Sequence, residues 1–484
     1  NGTNGIWLKR GLLADLLPNP IGAIGAMYGS IVGPSDEERT FAESAAPYVA
    51  EFVGTFFLVF TIALNTVVIT SSAANGVMLM VLVYVFGPIS GGHLNPAVSM
   101  ACGLVGRMPW PQVIAYCLLQ VSAGLLAGMA CYEVFQVPMG VAPIAPFGFW
   151  DAAFLEALYT GMLCFVVLNV AVSRNNPSHD QNHFLGLAVG LVLIAGHAAG
   201  HVSGAVLNPA AAIGLEIVGT QSRVVAPAPW GLAYAGMEIF GGLVAAACYL
   251  VARRHERHEA QDQPHFSSRW FCEFYGTTLL CVTVGLGTQP NAGTPWVAGA
   301  ALASIVYAVH DISGAHVNPA VTLAMVLSGK CPLGRGLAYW AAQLLAGIVA
   351  GLIVAGYFSI AGSGQISLQP KGDFSWISVF AVEAAFTCIL ALVVLSVTPS
   401  AQNLFFGLAI GAGLTLGGFA AGPISGLLNP AVVWSLATAG TIQSSDPQVF
   451  HGLALCLFQL SGGVLASSLF LSKEKRPFKA RSMD

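Results

Sequence analysis

The chain has 484 residues, 56% hydrophobic and 8% charged, with 18 Lys and Arg against 22 Asp and Glu for a formal net charge of −4. Soluble domains carry about 25% charged residues. A mean hydropathy of +0.74 therefore excludes a soluble globular protein and points to a polytopic membrane protein, while the small net charge gives no basis for nucleic-acid binding.

The chain begins at Asn1 rather than Met, which reads as a removed leader or a trimmed end. Residues 1–44 read as an interfacial or cytoplasmic segment, because 5–33 hold Trp7, Tyr28 and too many Gly and Pro for a span. Asn1-Gly-Thr3 has the form of a glycosylation acceptor but falls on the wrong side of the membrane in the topology below. Apolar runs long enough to cross a bilayer follow at 46–67, 75–91, 110–131, 150–172, 184–202 and 228–251. A basic linker, 252–268, reads as a solvated cytoplasmic tether. Six more runs lie at 269–288, 294–312, 334–359, 376–397, 403–421 and 449–471, before a basic tail at 473–484. The ten cysteines are scattered singly, without metal-ligand spacing, and read as small buried hydrophobes.

The twelve spans repeat. Asn-Pro-Ala occurs at Asn95-Pro96-Ala97, Asn208-Pro209-Ala210, Asn318-Pro319-Ala320 and Asn429-Pro430-Ala431. Offset by about 223 residues, "AEFVGTFFLVF" (50–60) parallels "CEFYGTTLLCV" (272–282), and "AYCLLQVSAGLLAG" (115–128) parallels "AYWAAQLLAGIVAG" (338–351). Within each half a Glu opens the first and fourth spans, so each half is two three-span repeats. An odd number of spans inverts the second repeat. Of the 18 Lys and Arg, all but Arg223 and Lys371 then fall on one side, which places both termini and the linker in the cytoplasm or an equivalent compartment.

Each Asn-Pro pair is a poor way to continue a helix and a good way to start one: Asn is a favoured N-cap and Pro fits the first turn. Short helices are predicted at 95–104, 208–216, 318–327 and 429–438. They are too short to span, so they must lie within protein or line a water-filled cavity. Paired from opposite sides, they present positive N-terminal ends and Asn N–H donors to each other.

These motifs resemble two fused copies of the aquaporin family, the major intrinsic proteins, over 45–251 and 269–472. The resemblance implies an all-α membrane protein of tandem aquaporin-like fold: twelve transmembrane helices, four re-entrant half-helices and a 3+3 inverted repeat in each half. It implies a passive channel for water or small neutral solutes of the glycerol, urea, ammonia or peroxide class, with two pores per chain and no cofactor. Asn95 with Asn208, and Asn318 with Asn429, become donor pairs. His93 and His316 match a vestibule histidine. Glu51, Glu156, Glu273 and Glu383 match carboxylates that brace the re-entrant loops, with a proton relay as the other reading.

The chain departs from the family at the outer filter. The usual Arg after the second motif is Ala211 in one half and Val432 in the other. The bulky aromatic position falls on Asn75 and Ala298, and the fifth-span position on Gly196 or His197 and on Gly417 or Gly418. The loop position three before the second Asn is Ala205 and Gly426. Two readings follow: wide apolar filters passing solutes larger than water, or a pore shut by dewetting or by neighbouring side chains that fill the gap. Losing the Arg also predicts weaker, not abolished, proton exclusion.

His197 and His201, four apart and so expected on one helix face, read as pore-mouth lining or core histidines rather than a metal pair or pH gate. Asp311, beside His310, reads as a backbone cap at the re-entrant turn. The longer loop at 173–186 reads as length variation rather than a gate. No motif suggests catalysis or a metal. Partners implied are membrane lipid and either a second chain, giving a homodimer that forms a pseudo-tetramer, or a larger membrane complex. In the latter case the chain is a non-conducting structural subunit. A coupled transporter is the third class, for which no ion-site cluster is present.

Overall fold

A computed structural model describes residues 41–68, 72–136, 140–173, 184–221, 230–257, 263–288, 295–362, 366–397, 404–444 and 448–474. The chain falls into two units, residues 1–47 and 48–484. The first is described only at residues 41–47, the opening turns of a helix. The expected interfacial segment, most of the tail and the loop at 174–183 lie outside the described residues.

Sixteen α-helices are described. In the first half they are α1 (Phe41–Val68), α2 (Ser72–Ser90), α3 (Pro96–Leu104), α4 (Trp110–Phe135), α5 (Phe149–Ala171), α6 (Leu185–Ala199), α7 (Pro209–Gln221) and α8 (Trp230–Ala252). In the second they are α9 (Phe266–Leu286), α10 (Pro295–Ser313), α11 (Pro319–Leu327), α12 (Leu333–Ala361), α13 (Trp376–Ser396), α14 (Phe406–Ala421), α15 (Pro430–Gln443) and α16 (Val449–Glu474). Among the described residues nine helices are long and apolar enough to cross a membrane. The remaining three expected spans are α9, which carries Arg269 and Glu273, and the shorter apolar α6 and α14. The fold is an all-helical membrane fold written twice.

The halves pack alike. α5 lies on α8 as α13 lies on α16, α4 on α7 as α12 on α15, and α2 on α6 as α10 on α14. Small residues bring backbones together, as is usual between membrane helices. A Cβ built on Gly124 of α4 would sit 2.2 Å from the Ala210 carbonyl oxygen, and one on Gly347 of α12 2.7 Å from that of Ala431. Both short helices are thus seated directly on backbone.

The four helices that start at Asn-Pro run as their caps dictate, but α7 and α15 extend to Gln221 and Gln443, beyond the expected ends at 216 and 438. No Pro interrupts them there. α6 ends at Ala199 and a 3₁₀ turn, His201–Ser203, follows, so His197 and His201 do not share a helix face as expected. All ten cysteines are free, seven of them buried.

The first residues of the linker are not the solvated tether expected. Arg253 and His255 are each 2% exposed. Arg253 Nε donates to Asn169 Oδ1 at 2.9 Å, and its two terminal nitrogens donate to the Asp311 carboxylate. Glu256 pairs with Arg107 at 3.4 Å and accepts from Ser173 Oγ at 2.6 Å. Asp311 is therefore the counter-ion of a buried guanidinium rather than a backbone cap. The desolvated Arg253 requires that partner. The halves also meet where α6 packs on α10, with Ser304 Oγ donating to Ala188 O at 3.1 Å and the Phe184 and Tyr307 rings stacked at 4.6 Å.

Candidate functional site

The site begins at four helix N-termini. Asn95 holds extended backbone (φ −158°, ψ 121°) and its Oδ1 accepts the Ala97 N–H at 2.9 Å, the geometry of an N-cap followed by Pro. Asn208, Asn318 and Asn429 cap α7, α11 and α15 in the same way, accepting from Ala210, Ala320 and Ala431 at 2.9–3.0 Å. Capping uses the oxygen and leaves the amide NH₂ free to reach across. Asn95 Nδ2 donates to Leu207 O and Asn208 Nδ2 donates to Leu94 O, both at 2.9 Å. Asn318 donates to Leu428 O and Asn429 to Val317 O, again at 2.9 Å. In each half the two short helices therefore meet N-terminus to N-terminus. Pro96, Pro209, Pro319 and Pro430 open them, and Ala97, Ala210, Ala320 and Ala431 are fully buried behind.

Turning those carbonyls toward the opposite Asn needs left-handed backbone at the preceding residue. Leu94, Leu207, Val317 and Leu428 have φ of 51°, 54°, 39° and 53°. Such conformations cost roughly 1–3 kcal/mol each in non-glycine residues and persist only when over-determined by their surroundings. The bracing carboxylates supply that determination. Fully buried Glu51 accepts from Ser90 Oγ (2.6 Å), His93 N (3.0 Å), Leu94 N (2.7 Å) and Gln120 Nε2 (2.8 Å). Glu273 repeats this with Ser313, His316 N, Val317 N and Gln343 at 2.7–2.9 Å. Glu383 accepts from Ser425, from Leu427 N and Leu428 N at 2.9 and 3.0 Å, and from Gln459 Nε2 at 2.8 Å. Glu156 accepts from Ser203 Oγ, Val206 N and Leu207 N at 2.6–3.0 Å. At the place of the fourth glutamine stands Glu238, which accepts the Asn208 N–H at 2.8 Å and lies against Glu156.

Sequence reasoning missed these serines and the Gln/Glu238 set. The alignment of Gln120 with Gln343 was visible in the repeated segments, but a single polar residue in an apolar helix says nothing of what it touches.

His93 Nδ1 lies 3.1 Å from Ser99 Oγ and His316 Nδ1 3.1 Å from Thr322 Oγ1, each with its ring edge-on to a tyrosine, Tyr116 or Tyr339. Small cavities join these histidines to the asparagines. One of about 20 Å³ is lined by His93, Asn95 and Asn208 among apolar residues, and one of about 10 Å³ by His316, Asn318 and Asn429.

The outer filter positions differ between halves. In the first, Asn75 Nδ2 lies 3.2 Å from His197 Nδ1, and Asn65 Nδ2 donates to Asn75 Oδ1. Asn75 and His197 are each under 10% exposed, and Ala205 and Ala211 are buried. The first half thus carries polar side chains bonded to each other at two of its filter positions. In the second half Ala298, Gly418, Gly426 and Val432 do line a common space of about 190 Å³. Of the alternatives at the fifth-span position, His197 lies against Asn75, and Gly418 borders the second cavity. Among the described residues no cluster of three His, Cys, Asp or Glu is placed to hold a metal.

Facing helix ends on a narrow, mostly apolar path inside a membrane fold define a passive channel for water or small solutes, not an enzyme. Residues 38–249, 144–295 and 261–441 match the family described as "Major intrinsic protein". Aquaporin NIP1-3 of Oryza sativa subsp. japonica is 36% identical over 243 residues, 46% of this chain and 80% of its own length. Aquaporin NIP6-1 of Arabidopsis thaliana is 31% identical over 226 residues, 44% of this chain and 71% of its own. Glycerol uptake facilitator protein-like 6 of Lactiplantibacillus plantarum is 34% identical over 183 residues, 35% of this chain and 82% of its own. The chain belongs to the major intrinsic protein family and carries two copies of the family's fold.

Proposed function

We propose that each half, 45–251 and 269–472, is a separate conduit for water and small neutral solutes, so that one chain carries two. The observation that supports this most directly is that both asparagines of each pair border one small cavity with the vestibule histidine. In each half the second N–H of each of the two asparagine amides, backed by the positive ends of α3 and α7 or of α11 and α15, favours water-like solutes and repels cations. The second mouth is the more permissive, because its filter positions surround open space where Asn75 and His197 occupy the first.

The positive-inside pattern favours cytoplasmic termini and linker. The α6–α10 contact within one chain has an equivalent between chains, α14 of one against α2 of its partner, which formed twice about a two-fold axis would close two chains into a ring of four units. Stopped-flow light scattering on proteoliposomes of the full chain tests the conduit. Water and glycerol shrinkage rates should exceed those of empty vesicles several-fold. Rates equal to empty vesicles for every solute tried would sink the reading in favour of the structural-subunit alternative.

A further inference from the structure

The second outer mouth holds a cation that no filter position supplies. The cavity bounded by Ala298, Gly418, Gly426 and Val432 is also lined by Lys371, from the loop between α12 and α13. Lys371 is fixed at both ends. Its backbone N–H donates to Ile424 O at 3.5 Å and its Nζ to Gly422 O at 2.7 Å. Gly422 immediately follows α14, whose terminal carbonyls carry partial negative charge and suit an ammonium. The side chain stays exposed to the mouth. Glu383, the carboxylate that acts on it, is buried and committed to Ser425, Leu427, Leu428 and Gln459.

The first half keeps the backbone anchor and drops the charge. In the loop between α4 and α5, Ile144 N donates to Val202 O at 2.8 Å, the counterpart of Lys371 on Ile424. Ile144 is apolar and half exposed.

We propose that Lys371 is a specificity-determining residue of the second mouth. Its ammonium stands in for the charge absent at Val432 and disfavours cations there, while Ile144 leaves the first mouth without a fixed charge. The proposal rests on reading each half as a conduit. One fixed charge in a confined mouth lowers the local concentration of cations and raises that of anions.

A reporter cysteine reads that potential without requiring flux. In the full chain carrying Ala298→Cys, the rates of modification by the anionic sulfonatoethyl and cationic trimethylammonioethyl methanethiosulfonates are compared by mass spectrometry against the parent chain. With Lys371 present the anionic reagent should be favoured. Adding Lys371→Gln, which keeps an N–H donor and loses the charge, should shift the ratio about three- to ten-fold toward the cationic reagent. Lys371→Arg should leave it in place. An unchanged ratio in Lys371→Gln, or an equal shift in Lys371→Arg, overturns the proposal and leaves Lys371 a loop strap. A shift in the ratio with no solute flux in the same preparation would keep the charged mouth and sink the conduit reading. Flux with no shift does the reverse.

Discussion

Arg253, the first residue beyond α8, and Asp311, near the end of α10, join the two halves through a two-pronged ion pair: Nη2 donates to Oδ1 at 3.0 Å and Nη1 to Oδ2. The arginine side chain is 2% exposed and the aspartate side chain 32%. Removing one partner of a buried pair costs about 3–5 kcal/mol, and the aspartate's exposure brings the expectation here to roughly 2–4 kcal/mol. Asp311→Leu should destabilise the detergent-solubilised chain by that much, read as a lower thermal midpoint. The double variant Arg253→Met, Asp311→Leu should recover part of the loss, because it removes the buried guanidinium that Glu256, 3.3 Å away, would otherwise be left to balance alone. Additive losses would show that the pair does not couple the halves.

Glu238 stands where three other repeats place Gln120, Gln343 or Gln459. Each glutamine donates an N–H to its bracing carboxylate, whereas Glu238 brings a second carboxyl beside Glu156. Glu238→Gln should hold or raise the thermal midpoint, since it restores a donor in contact with Glu156. The converse change, Gln459→Glu, sets two carboxyls against each other around Glu383 and should cost about 1–3 kcal/mol, the usual penalty for a buried polar group that loses its partner. Paired thermal melts check both signs.

One glycine should prove irreplaceable where another is not. Gly124→Val places a side chain within 2.2 Å of a backbone oxygen, and no rotamer relieves a Cβ clash. The chain should fail to elute as a monodisperse species in size exclusion. Gly236 in α8 has nothing within 4 Å of a built Cβ. Gly236→Ala should be tolerated, with a gain of up to about 0.5–1 kcal/mol from helix propensity.

Val432→Arg puts a guanidinium into the 190 Å³ space. Glycerol permeability should fall several-fold relative to water in the light-scattering assay. An unchanged ratio of the two would mean that the second mouth does not select by size.

The sequence made the helices and their caps legible, because Asn-Pro after an apolar run has one good local solution and the fourfold repeat removes chance. Partners distant in sequence were not legible. Arg253 sits in a stretch rich in charge and reads as solvated, yet its counter-ion lies 58 residues on, at the end of a different apolar run. Asp311 reads as a local cap for the same reason. The glutamines were hidden because one polar residue inside a membrane helix is equally compatible with several neighbours. At the first filter the polar residues Asn75 and His197 were legible, but not that they bond to each other and to Asn65 on another helix. Lys371 could be assigned to the outer side from charge counting, but only the backbone anchor on Ile424 and the ammonium seat on Gly422 bring it to the mouth.

Joining the copies on one polypeptide has a stoichiometric consequence. Units that begin as duplicates can diverge, one keeping Asn75 and Ile144 and the other Ala298 and Lys371. Separate chains with such differences would mix in whatever proportions expression happened to supply. A shared backbone, clasped at Arg253, makes every particle contain equal numbers of the two and seats each beside its unlike neighbour.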